Sequence, residues 1–484
     1  MPQAVFDLAT SAREEMIHEG FDPDFSPAVQ QQVAGIQSRA TAALNGTLRD
    51  LRDRPWSSID NDTSRDLDQI EVAQRVPDGI LISIGIADVD ADVSIGSPID
   101  HHAQSETTTV YTPTRTFPML PEALSTDRTS LRPDADRGAI VVDMLIANDG
   151  SIASSNIYRA LVRNHFQLTY NGVGPWLEGS APPPAQVAAS SDLQGQLKLQ
   201  DAAACLLREQ QLRLGALNFD RIEVEPILAD GQVRDITARK KNRANDLIED
   251  FMVAANETMA QTLSRAGVPT LRRVVKTPER WPRIVELAAR FGFPLPAEPD
   301  SARLANFLQQ QQQNNPDHYP DLSLSVIKLM GPGEYVLARP GEPAQGHFGL
   351  AALDYTHSTA PNRRFADLVT QRLIKAALTK QPAPYSEDDL AEIARNCTQK
   401  EDAARKVERT MGKRAAALAL RHRLGQSFTG IVTGVTPKGV FVRVLNPPVE
   451  GRLLRGEQGV DVGDRIRVTL LHTDPQRGWI DFGR

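Results

Sequence analysis

The chain has 484 residues, 40% of them apolar and 24% charged, with a formal net charge of -7. That length exceeds what one hydrophobic core usually serves, and no uninterrupted apolar run approaches the ~20 residues that cross a bilayer. The acidic balance excludes sequence-wide coating of a polyanion, while Cys205 and Cys397, alone and in unrelated contexts, support neither a disulfide framework nor a thiolate zinc site.

In chain order, apolar residues recur three or four apart from Ala4 to about Ile17 and from Ser26 to about Leu44, with Ser26 as an N-cap and Pro27 at the first helical position. Residues 1–52 therefore read as a helical lead-in. A helix-turn-helix-like unit and a packing role are both open, since no basic recognition face is present. The opening residues lack the basic start and apolar stretch of a secretory signal, so a cytoplasmic protein with no membrane partner is expected.

Asp53-Arg54-Pro55 ends the lead-in, and strand signals follow at 80–96, 138–149 and 151–164, each bounded by Gly, Pro, Asn or Asp. Helical periodicity takes over from Asp192 to Arg213, after Asn245, and from Leu368 through Leu424. Residues 53–424 thus read as one mixed α/β domain. The Pro-rich run from Ala181 to Pro184 and the polar tract from Gln309 to Asn315 read as surface loops. Five short β segments from residue 425 to 484 suit a small OB barrel. The expected class is multidomain α+β.

Two basic runs, Arg239 to Arg243 and Arg405 to Arg423, offer local positive charge, with a solvated helix face as the competing reading. The segment from Asp60 to Asp68 packs four aspartates into nine positions. Asn61 to Arg65 read as a turn, and Asp66-Leu67-Asp68 opens an alternating strand on which residues two apart share a face, ~7 Å apart. Asp60, Asp66 and Asp68 could share a hard divalent ion, as at a phosphodiester-cleaving site. A solvated acidic turn is the alternative.

Other runs bear on that choice. Gly85-Ile86-Ala87-Asp88-Val89, Pro118-Met119-Leu120-Pro121-Glu122 with Leu124-Ser125, Leu247-Ile248-Glu249-Asp250-Phe251-Met252 with Ala255-Asn256, and His347-Phe348-Gly349-Leu350 with Tyr355-Thr356-His357 and Arg363-Arg364 stand in that order. With the aspartate segment, they make the sequence resemble the ribonuclease II and R family, with its RNB catalytic domain and S1-like terminal barrel. The likeness runs from about Pro55 to the C-terminus.

The resemblance implies processive hydrolytic 3′-to-5′ removal of nucleoside 5′-monophosphates from single-stranded RNA, with magnesium, or manganese in its place, as one or two ions. It implies metal binding by Asp60, Asp66 and Asp68. Gln69 stands where the family has a further aspartate and brings an oxygen without charge. Asp62 is expected to restore that charge if the turn folds it inward. Arg363, with Arg364 beside it, would face the charge gathering on the phosphate, and Glu408 matches a late acidic residue of the family's site.

Tyr111 and Tyr170 match positions that stack RNA bases, a contact contributing ~1 to 3 kcal/mol per base. Glu249 or Asp250, with Asn256, would read the 2′-hydroxyl, although these acids could equally pair with the basic run. Phe428, Phe441 and His472 would line the barrel's RNA surface, with barrel core as the competing reading for the phenylalanines. The helical lead-in, where relatives often carry OB barrels, implies a more open entrance for RNA with a structured region beyond a 3′ overhang. The expected partner is single-stranded RNA and the expected state a monomer. The rival function is a catalytically impaired RNA-binding or scaffold protein that lost a ligand at Gln69.

Overall fold

The computed structural model of the chain describes residues 6–38, 48–220, 223–229, 232–316 and 318–484. Its centre is a seven-stranded sheet of β1 (Arg49–Asp50), β2 (Ser57–Asp60), β3 (Gln69–Val76), β4 (Gly79–Ala87), β5 (Asp136–Ile146), β6 (Ile152–Arg163) and β7 (Phe166–Thr169), in the order β1-β6-β5-β4-β3-β2-β7. The strands from β3 to β6 pair antiparallel with their chain neighbours, whereas β1 and β7 join parallel at the two edges. Pro77 and Asp78 turn β3 into β4. Gly79 follows at φ +150°, where an added Cβ would lie 2.1 Å from the Ile146 carbonyl oxygen.

β4 is buried almost continuously, the pattern of a strand covered on both faces. The covering helices are α3 (Ser191–Leu214), α4 (Arg243–Ala266) and α5 (Phe365–Leu378). Leu247, Ile248 and Phe251 of α4 and Leu368, Val369 and Leu373 of α5 share one core with Ile82, Ile84 and Ile86 of β4. The 34-residue α6 (Glu387–Leu420) then leads to the barrel.

The lead-in holds two helices among the described residues, α1 (Leu8–His18) and α2 (Pro27–Gln37), capped by Asp7 and Ser26. The stretch from 39 to 44, expected to continue the second helix, lies outside the described residues. Leu8, Ala12 and Met16 join Val407, Met411 and Ala415 of α6, while Val29 and Ile36 join the sheet core. Delivering their apolar faces to different cores is not the packing of a helix-turn-helix unit.

The five terminal β segments close into a barrel of β8 (Ser427–Thr436), β9 (Gly439–Val444), β10 (Glu450–Arg455), β11 (Arg465–Asp474) and β12 (Trp479–Gly483), in the order β8-β9-β10-β12-β11. The tract from Gln309 to Asn315, expected as a loop, is instead the end of a helix, Ser301–Asn314. Asp300 caps it, Leu304, Phe307 and Leu308 bury its face, and glutamine is a good helix former that continues the turn. That helix builds a separate core with Trp281–Arg290 and Tyr319–Met330, two helices the sequence reading did not predict.

Glu257 of α4 accepts a 3.1 Å hydrogen bond from Gln211 of α3, and burial pushes its carboxyl from an ordinary 4.5 up to about 7. The folded chain therefore keeps a proton there that the unfolded chain releases near 4.5. This stability is fully present below that pH and is lost as pH rises through about 7, a difference of up to about 3 kcal/mol. Glu257→Gln should flatten the fall in thermal midpoint between pH 5 and pH 8. Equal slopes in the two proteins would refute this.

Candidate active site

Asp60 ends β2, and the turn after it folds back so that the Asn61 amide and the Ser64 hydroxyl both donate to Asp60 Oδ1, at 2.7 and 2.8 Å. Leu67 is buried and held at both ends, its amide donating to Ser130 Oγ and its carbonyl accepting from the Leu131 amide. This fixes Asp66 and Asp68, one residue to either side of it. The sheet ladder itself begins at Gln69, three residues later than the alternation suggested.

Facing them is the loop from Tyr355 to Arg364 that leads into α5. The Ser358 amide and hydroxyl both donate to Asn256 Oδ1 on α4, at 2.8 and 2.7 Å. The Ala360 amide donates to Asp367 of α5 at 2.8 Å. So held, the loop delivers the Asn362 amide to Asp68 Oδ1 at 3.0 Å and Arg363 Nε to Asp68 Oδ2 at 3.1 Å. Asp68 is 1% exposed, and burial pushes its carboxyl up to about 7 against the opposing pull of Arg363. Burial raises Asp66 as well.

Two tyrosines border the aspartates. The Tyr111 hydroxyl donates to Asp66 Oδ2 at 3.2 Å, and its backbone amide donates to Glu408 of α6 at 3.1 Å. Thr169 pairs with Asp60 across the β2/β7 ladder, so Tyr170, the next residue, stands beside that carboxylate; Asn242 Nδ2 donates to its carbonyl at 3.0 Å. Burial raises both phenols, with Asp66 and Asp68 contributing at Tyr111 and Asp60 and Glu71 at Tyr170.

Asp60, Asp66, Asp68, Arg363, Tyr111, Tyr170 and Glu408 thus meet at one end of the sheet. Arg364 does not join them: it grips Asp367 with two bonds of 2.7 and 2.8 Å and steadies the loop instead. Gln69 is buried in the strand opposite Ile86. Asp62 does not fold inward; it is exposed and takes a hydrogen bond from Asn171.

Glu249 pairs with Lys241 and Asp250 with Arg208, so both acids are engaged by cations rather than turned toward the aspartates. Asn256 is 2% exposed and spent on the loop. Much of the basic charge is likewise engaged: Arg243 with Asp201, Lys406 with Glu19, Arg414 with Glu15 and Arg423 with Asp235. In the barrel, Phe428 packs edge-on against Phe482, their centroids 6.4 Å apart, and is half-buried against the core. Phe441 is half-buried and stands across the ladder from Arg452; His472 is paired with Asp481.

Sequence reasoning missed Asn362, Asp367 and Glu71. The signal for Glu71 was a lone acid in an otherwise apolar stretch, Ile70-Glu71-Val72-Ala73. Among the described residues, the acidic or histidine groups of three whose ligand atoms lie within 4.8 Å of one another are confined to Glu15, His18 and Glu19, on α1 and its cap. The aspartates stand farther apart than that. Their oxygen-only donor set and buried carboxylates nevertheless fit a hard divalent cation that keeps much of its water.

Comparison with known proteins bears on this site. The RNB domain description matches residues 48–380, and that of the RNase II-type exonuclease C-terminal S1 domain matches 426–484. Ribonuclease R of Escherichia coli (strain K12) is 29% identical over 497 residues, covering 94% of this chain and 59% of its own length. The chain therefore spans less than two thirds of that relative.

Mycoplasma genitalium RNase R, solved with ribose-methylated single-stranded RNA, superposes with a TM-score of 0.88 at 23% identity, over 99% of this chain and 78% of that one. Yeast Ssd1, described as a pseudonuclease, superposes with a TM-score of 0.71 at 16% identity, over 98% and 58%. One fold thus accommodates both a ribonuclease and a pseudonuclease, so the side chains must carry any statement about chemistry.

Proposed function

The chain belongs to the RNB family, and from that premise we propose that it is a magnesium-dependent 3′-to-5′ exoribonuclease that hydrolyses single-stranded RNA to nucleoside 5′-monophosphates. The observation that carries the proposal is the convergence of Asp68 with Asp66 on one side and Arg363 on the other. A scaffold protein has no use for a buried Asp68 carboxylate set against an arginine that stays 42% exposed.

Asp60, Asp66 and Asp68 would hold magnesium, or manganese in its place, with Gln69 as a neutral oxygen nearby. Such an ion, when bound, polarises the scissile phosphate and makes its water more acidic. Arg363 would meet the negative charge that develops on the phosphate. Tyr170 and Tyr111 would stack the last bases, and Glu408 would set the backbone of Tyr111. Glu249, Asp250 and Asn256 fit support of α3, α4 and the loop better than contact with ribose. Phe441 is the better barrel candidate for an RNA surface, because the Phe428 ring is packed against Phe482.

Polarity and processivity rest on the family. The neighbouring M. genitalium enzyme has been solved with single-stranded and with double-stranded RNA, which supports extending the proposed substrate to structured RNA with a 3′ overhang. No helix among the described residues is long and apolar enough to cross a membrane, and we assign the activity to the cytoplasm, acting as a monomer. The second reading, an RNA-binding scaffold, draws on Gln69 and on the fold shared with a pseudonuclease.

The assay that separates them follows 5′-labelled single-stranded RNA with magnesium or with EDTA. Stepwise shortening that EDTA abolishes is expected; binding without shortening would leave the scaffold. Arg363→Ala should lower turnover by about a hundredfold or more while RNA affinity falls far less. Equal losses in both would remove Arg363 from its role.

A further inference from the structure

We propose that Glu71 is a fourth acidic member of the metal centre, engaging a divalent cation at Asp60 through ion-bound water and supplying the charge that Gln69 lacks. This rests on the metal-dependent reading above. Glu71 is 0% exposed, and neither of its carboxylate oxygens has a hydrogen-bond partner. Directly across the β2/β3 ladder stands Ser57, also fully buried, whose hydroxyl is likewise unpartnered. Two fully buried polar side chains thus stand opposite each other on adjacent strands, with no hydrogen-bond partner among the described residues. Burying a carboxylate in that way is strongly unfavourable unless a cation or donors compensate it.

The charge acting on Glu71 is Asp60, and a second negative group worsens its isolation. Neighbouring carboxylates with unsatisfied oxygens are relieved by a divalent cation and the donors of its water shell. Tyr170, the aromatic proposed to hold the RNA end, feels the charge of both Asp60 and Glu71.

The position on the strand agrees. Gln69 and Glu71 are two apart on β3 and share one face of it. The face that lost a charge at Gln69 therefore regains one at the next position, on a side chain one methylene longer than aspartate. Asp62 does not serve this purpose, being exposed and bonded to Asn171. The carboxylates do not gather within 4.8 Å of one another, so the bridge runs through water, which magnesium retains.

Manganese binding to the full chain, measured calorimetrically without RNA, tests the inference separately from nuclease activity. Glu71→Gln should weaken binding about 10- to 100-fold, the usual effect of losing a partner outside the inner shell. It should also raise the thermal midpoint of the metal-free protein and shrink the further rise that manganese gives. Adding Gln69→Asp to Glu71→Gln should recover affinity.

Unchanged affinity in Glu71→Gln, or a loss confined to Asp62→Asn, would overturn the inference while the proposed function stood. Failure of the unaltered protein to bind manganese would bring down both.

Discussion

Asp68→Asn is expected to slow RNA shortening about a thousandfold or more while RNA affinity changes only a few-fold. The asparagine is nearly isosteric and can still accept from the Asn362 amide, so the loop before α5 keeps its place. What goes is the charge opposite Arg363, in a position 1% exposed where no water can substitute. An arginine left unbalanced next to the scissile phosphate binds RNA no less well, because attraction to the backbone is increased. Rate and affinity should therefore part company, and single-turnover shortening measured alongside filter binding would show it. A variant retaining a tenth of the rate would mean that Asp68 holds the loop and does no more.

The second large effect concerns stability. Arg372 on α5 is 3% exposed and gives its guanidinium to Asp90 at 2.9 Å, Asp100 at 2.8 Å, the Tyr385 hydroxyl at 2.6 Å and the Val93 carbonyl at 2.6 Å. Arg372→Met fits the volume but leaves the almost fully buried Asp100 without its cation, while Asp90 keeps only Lys375 at 2.7 Å. Removing one partner of such a network costs about 3 to 5 kcal/mol. The urea midpoint followed by circular dichroism should fall accordingly. Arg372→Lys should recover only part of the loss, since an ammonium lacks the planar fork that reaches four partners. A midpoint unchanged in the methionine variant would refute the account.

How much of this was legible in the sequence differs from one residue to the next. The barrel was, because five short strands with glycines at their ends admit few other closures, and so was α4, whose apolar stripe repeats through a whole helix. The aspartates stood out by their density, with a solvated turn as the alternative, and it was the family resemblance that singled out both them and Arg363. What holds them together was not legible, because it depends on Asn256, 102 residues away in the chain, and on Asp367 of the helix that follows catching one loop. The pairing of Glu249 with Lys241 was open in the sequence as an alternative, but that of Asp250 with Arg208 was not legible: a carboxylate two turns along a helix looks alike whether it faces a ligand or an arginine on a neighbouring helix. The end of the helix Ser301–Asn314, from Gln309 on, reads as a loop because a run of one polar residue hides the period set by the apolar residues before it.

The long helix α6 carries a further consequence. Glu401 on it grips Arg273, Glu408 holds the Tyr111 amide, and Arg414 reaches Glu15 on α1 before the chain enters the barrel. These grips are spaced along a rod rising 1.5 Å and turning about 100° per residue. The helix is therefore a ruler with its marks in fixed phase. Exchanging one exposed side chain for another leaves the marks where they are, but a single residue inserted between Glu401 and Glu408 swings Glu408 away from Tyr111 by more than a quarter of a turn. Along this stretch the number of residues is under tighter constraint than their identity.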